Sequence, residues 1–115
     1  MQGAWNAVAI IVLFGRAALA ANDYPTPARV DYVIGCMAAN NSTREAMLQC
    51  SCAIDVVASL VPYADYEKAE TALNMQAGGG AGGRMALFRD SPGIKAVIEE
   101  LRRAQAEANL QCFKP

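Results

Sequence analysis

Four cysteines, Cys36, Cys50, Cys52 and Cys112, constrain this 115-residue chain more than any other feature. Two of them are separated by a single serine. Around a helix each residue advances by about 100°, so Cys50 and Cys52 project about 160° apart and cannot bond to each other unless the helix breaks. Each must find a different partner. Counting outward from the turn expected near Asn41, Cys36 lies five residues back and Cys50 nine forward, whereas Cys52 is two residues farther. This favours Cys36 with Cys50 and Cys52 with Cys112. The swapped pairing, Cys36 with Cys52 and Cys50 with Cys112, is the alternative that the same geometry allows.

The segments that carry the cysteines read as helices. Thr26 followed by Pro27 has the form of an N-cap and first helical residue, which predicts a helix over Pro27–Ala39 with Val30, Val33, Ile34 and Met37 on one apolar stripe. Asn40 and Asn41 stop it. Ser42-Thr43-Arg44-Glu45 then has the S-x-x-E pattern of a capping box and opens a second helix, which runs to about Val61 with Met47, Cys50, Ile54, Val57 and Val61 along one face. Pro62 ends it. A third helix, with Asp65 as its N-cap, turns Tyr66, Ala69, Leu73 and Met75 inward. A fourth, capped by Ser91 ahead of Pro92, reaches about Phe113 with Ile94, Val97, Ile98, Leu101, Ala104 and Ala108 on its inner side and Lys95, Glu99, Arg102 and Arg103 on its wet side. No strand-like alternation occurs. The expected fold is an all-α bundle of about four helices, stapled by disulfides.

Such a domain needs its staples. The expected domain, residues 21–115, is near the size at which one hydrophobic core is only just sufficient. In the chain-entropy picture the two bonds are worth about 3 and about 4 kcal/mol, comparable with the whole stability of a small domain.

Residues 1–20 read as a secretory signal peptide. Ala7–Phe14 is an apolar run too short to cross a bilayer, and Ala18-Leu19-Ala20 has the small-x-small form that a signal peptidase accepts, predicting cleavage before Ala21. No Lys or Arg precedes the run, and Arg16 stands close to the cleavage site; a buried N-terminal helix is the competing reading. Export agrees with an even number of cysteines, which in a short exported chain form oxidised pairs. The expected location is periplasmic or secreted, with no stable membrane anchor after cleavage.

Several chemistries lack their residues. The chain has no histidine, the commonest general base near neutral pH and the commonest nitrogen ligand for transition metals. Ser-His, Cys-His and haem-attachment sites are therefore excluded. Ten basic and eleven acidic residues, spread along the chain with a net charge of −1, form no basic patch, so nucleic acid is not an expected partner. Gly78-Gly79-Gly80-Ala81-Gly82-Gly83 lacks the Lys-Ser/Thr of a phosphate loop and reads as a linker. Arg84 and Arg89 beyond it read as solvated surface charges. Asp55 is expected in a salt bridge, and Tyr63 and Tyr66 in packing over a loop. No catalytic residue, cofactor site or metal site can be assembled from these residues.

The strings Tyr32-Val33-Ile34-Gly35-Cys36-Met37, Cys50-Ser51-Cys52-Ala53-Ile54-Asp55 and Gln111-Cys112-Phe113 resemble a group of small secreted proteobacterial proteins with four cysteines, associated with quinoprotein alcohol-oxidation systems. The resemblance implies a periplasmic place and transfers no catalytic residue. Two functions follow as expectations. The first is a non-enzymatic accessory or interaction protein that meets a larger periplasmic protein through its helical surface. The alternative is a thiol redox or copper-handling protein built on Cys50 and Cys52, because paired thiolates suit soft metals and strained disulfides are labile.

Overall fold

In the computed structural model, which describes residues 23–77 and 91–114, four helices follow one another: α1 Thr26–Ala39, α2 Arg44–Leu60, α3 Tyr63–Ala77 and α4 Pro92–Cys112. No strand occurs among the described residues. The expected signal peptide, the Gly78–Gly83 run, Arg84 and Arg89 lie outside them.

The core is built by α2, α3 and α4. Ile54, Val57 and Val61 of the α2 face meet Tyr66 and Ala69 of α3 and Ile94, Ile98 and Leu101 of α4. Alanines fill the places between them. Ala53, Ala58, Ala69, Ala72, Ala104 and Ala108 are all buried, and their small side chains let the helix backbones approach closely. The 3–4 spacing on α4 places its expected apolar side inward, while Lys95, Glu99, Arg102 and Arg103 are exposed. Its start is also as expected, with Ser91 accepting from the Ile94 amide at 3.4 Å.

α1 differs. None of its residues is buried, and two members of its apolar stripe, Val30 and Ile34, are 50% and 62% exposed. It lies against α2. Its helix begins at Thr26, with Pro25 as the capping residue and no side-chain cap, so Thr26 does not take the N-cap place expected of it.

The α1–α2 turn corrects the expected capping box. Asn41 and Ser42 both have left-handed backbones, with φ of 72° and 49°, which folds Ser42 back toward α1. Its hydroxyl then donates to the Met37 carbonyl at 3.2 Å. The cap passes to Thr43, whose Oγ1 accepts from the Ala46 amide at 3.1 Å. Asp65 is likewise not a cap. The Pro62 carbonyl accepts from the Asp65 and Tyr66 amides, so α3 starts earlier and Asp65 falls in its first turn.

Two disulfides close the structure, Cys36–Cys50 and Cys52–Cys112, each with its Cα atoms 5.8 Å apart. This is the favoured pairing of the two. The first spans 14 residues and ties α1 to α2; the second spans 60 and ties the end of α4 to α2.

At the other end of α1, Tyr24 acts as a latch. It is 4% exposed, its hydroxyl donates to the Val61 carbonyl at 2.7 Å, and its ring packs on Tyr63 and Tyr66 with centroids 5.1 and 5.0 Å away. Tyr63 and Tyr66 therefore do pack over a connecting segment, the one that carries Tyr24. The Arg29 guanidinium lies 5.6 Å from the Tyr24 ring centroid and forms a 2.8 Å ion pair with Asp55, as expected of that carboxylate. Asp55 is largely exposed, so the pair contributes under about 1 kcal/mol.

Because the chain-entropy contribution grows with loop length, the double variant Cys52→Ala/Cys112→Ala is expected to lose about 4 kcal/mol and Cys36→Ala/Cys50→Ala about 3 kcal/mol. Guanidinium unfolding of both variants beside the oxidised parent measures the difference. Equal losses would show that lost packing around the cysteines, rather than loop closure, sets the cost.

Candidate functional site

The two inner cysteines leave α2 on different sides and are both bonded elsewhere. Cys50 has no exposed surface, whereas Cys52 is half-buried. No free cysteine occurs among the described residues, and no group of three or more Cys, Asp or Glu side chains there comes close enough to hold a metal ion. Two grooves flank α1, one on each side.

The first groove runs between α1 and α2. It encloses about 320 Å³ and is lined mainly by Val30, Val33 and Ile34 of α1 and Met47 and Ile54 of α2, with the Arg29–Asp55 pair also lining it. Its walls are apolar because the stripe on α1 is broader than the strip that touches α2. Val33 is half-buried, while Val30 and Ile34 stand clear.

The second is a cleft of about 520 Å³ among α1, α3 and α4. Asp31 and Tyr32 come from α1, Tyr66 and Glu70 from α3, and Gln105 and Asn109 from α4. Asp31 and Tyr32 are adjacent on α1, and Tyr66 and Glu70 share one face of α3 because they are four residues apart. Burial pushes the Glu70 carboxyl above its ordinary value, and the neighbouring Asp31 charge adds to the shift. Burial also raises the Tyr32 and Tyr66 phenols, with Glu70 the next cause for both. Glu70 thus carries the electrostatic coupling of this cleft to both phenols.

A second carboxyl pair joins α3 to α4. Partial burial raises Glu100, and Asp65 raises it further both by its charge and through a side-chain hydrogen bond, against a lowering influence from Arg103. Sequence reading placed Asp65 at a helix cap and so missed this pair. It also missed the cleft, because Asp31, Glu70 and Asn109 are brought together only by the packing of three helices. The sole local signal was the i, i+4 spacing of Tyr66 and Glu70.

No family model matches the chain, and neither a curated protein nor a solved structure is found to be similar to it. The site must be read from its own residues. Among the described residues no single helix is long and apolar enough to cross a membrane.

Glu70 and Glu100 share a consequence for stability. A carboxyl whose folded value lies above its unfolded value binds protons more readily in the folded state, so folding is favoured as pH falls through the raised range toward the ordinary glutamate value of about 4.3. The melting temperature is therefore expected to rise as pH is lowered from about 7 to about 5. Glu70→Gln and Glu100→Gln should each flatten that rise. A melting temperature that falls over this interval in the parent protein, by calorimetry, would contradict the assignment.

Proposed function

We propose that this chain is an exported, non-enzymatic accessory protein that docks a larger protein through the outward face of α1 and the α1–α2 groove. The observation that carries this reading is the state of α1. A disulfide, an ion pair and the Tyr24 latch hold it in place, yet it buries no residue of its own and leaves Val30 and Ile34 largely in water. Holding an apolar helix rigid at a surface suits a contact surface formed in advance, because less conformational entropy is lost on binding. Val30 and Ile34 on one wall and Met47 and Ile54 on the other give an apolar groove of the kind that takes an amphipathic partner helix.

Two disulfides support an oxidising compartment, and the small-x-small site ending at Ala20 supports export across a membrane into a periplasmic or extracellular space. The redox or copper-handling alternative is less well supported, because Cys50 and Cys52 are each bonded to another helix. Using them as a pair requires opening both bonds.

Export is tested by N-terminal sequencing of the protein recovered outside the cytoplasm, where Ala21 is the expected first residue. Retention of residues 1–20 in that fraction would remove this support. Docking is tested by comparing the parent with Ile34→Glu in co-purification from the native host. Ile34 is 62% exposed, so the variant should fold with its melting temperature within a few degrees of the parent. A stoichiometric partner held by the parent and lost from Ile34→Glu is the expected result. The same proteins retained at the same levels by both would overturn the assignment of this face.

A further inference from the structure

We propose that the cleft among α1, α3 and α4 binds an alkylammonium or guanidinium group, a ligand separate from the protein docked on the apolar side of α1. Its wall chemistry is one-sided. Asp31 and Glu70 supply two carboxylates from different helices, while no Lys or Arg among the described residues lines the cleft. Neither carboxylate has an ion-pair or hydrogen-bond partner among those residues. Glu70 is half-buried beside the exposed Asp31, and two like charges held together, one of them partly withdrawn from water, favour a cation between them.

Tyr66 gives a second, independent indication. It is 94% buried by its 6% exposure, and its ring is packed by Tyr24 at 5.0 Å and Tyr63 at 6.2 Å between centroids. Its hydroxyl makes no hydrogen bond to any described residue. Yet no polar side-chain atom of these residues is both sealed from solvent and unpartnered, so the hydroxyl must open outward, and the cleft is the surface that Tyr66 lines. A buried aromatic normally satisfies its hydroxyl within the protein, as Tyr24 does on the Val61 carbonyl. Tyr66 leaves its oxygen for something else.

The available acceptors specify the guest. Asp31, Glu70, Tyr32, Tyr66, Gln105 and Asn109 line one space from three helices, and each of these side chains carries an oxygen that can accept a hydrogen bond. An ammonium brings three N–H donors and a guanidinium five, with no acceptor to clash with those groups. The half-buried Tyr32 ring adds an apolar surface along which an alkyl chain can lie. A space of about 520 Å³ admits a chain of several methylenes behind the charged head. A free polyamine and the lysine or arginine side chain of a peptide both carry this chemistry.

Isothermal titration calorimetry on the oxidised full-length mature protein, at low ionic strength and neutral pH, tests the proposal with three probes: spermidine, N-acetyl-lysine methylamide and a short lysine- and arginine-containing peptide. Saturable one-site binding of at least one probe is expected, weakened about tenfold or more in Asp31→Asn/Glu70→Gln and measurably in Tyr66→Phe. Glu99→Gln/Glu107→Gln, which removes two exposed carboxylates on α4 away from the cleft, should leave it unchanged. Binding of spermidine alone assigns the site to free amines, and binding of the peptide alone assigns it to a basic side chain of a partner. No saturable binding of any probe to the parent would overturn the proposal. So would equal binding by Asp31→Asn/Glu70→Gln, whose near-isosteric carboxamides keep the fold, as its melting temperature would verify, or equal weakening by the α4 control.

Discussion

Everything in this structure is hung from α2 by two covalent bonds that leave it in different directions. Because Cys50 and Cys52 sit two positions apart on a helix, one bond reaches α1 and the other reaches the far end of α4. A partner on each flank is the only arrangement that leaves α2 unbroken. The core then forms between α2, α3 and α4, where alanines permit close approach and a few large side chains, Ile54, Val57, Val61 and Leu101, fill the remaining volume.

The same constraint explains the standing of α1. A helix with no fully buried residue draws limited hydrophobic stabilisation, here from half-buried Tyr32 and Val33 against the core, and α1 is held in addition by a bond near one end, the Arg29–Asp55 pair and Tyr24 at the other end. Tyr24 combines a hydrogen bond to the Val61 carbonyl with ring packing against Tyr63 and Tyr66, so it ties the chain ahead of α1 to the α2–α3 junction. Pinned at both ends, α1 presents an apolar groove on one flank and an acidic, tyrosine-lined cleft on the other. The two proposed ligands thus follow from the position of one helix.

Much of the fold was legible in the sequence. The 3–4 periodicity of α2 and α4, the Ser91-Pro92 start and the C-x-C geometry all act through local backbone rules, and each led to the observed element or bond. Errors fell where two local rules competed. Ser42 fits a capping box, but two left-handed residues turn it toward Met37, and Thr43 takes the role. Asp65 resembles a cap, but the Pro62 carbonyl already occupies that place. Tyr24 lay in a polar, proline-interrupted stretch, and no local pattern reveals that its ring is buried by residues 39 and 42 positions away. The acidic cleft is of the same kind. It is a product of tertiary packing, and only the spacing of Tyr66 and Glu70 hinted at it.

The burial of Cys50 also imposes an order on assembly. With its bond made, this residue has no surface open to solvent, and α1, which brings Cys36 to it, forms part of its covering. A thiol oxidant must reach Cys50 before that covering is complete. An oxidant therefore meets an open α1–α2 hairpin rather than the finished bundle, and molecules that close around a reduced Cys50 must reopen to be corrected. Access of oxidant while the hairpin is open thus bears on the yield of correctly bonded protein alongside core stability.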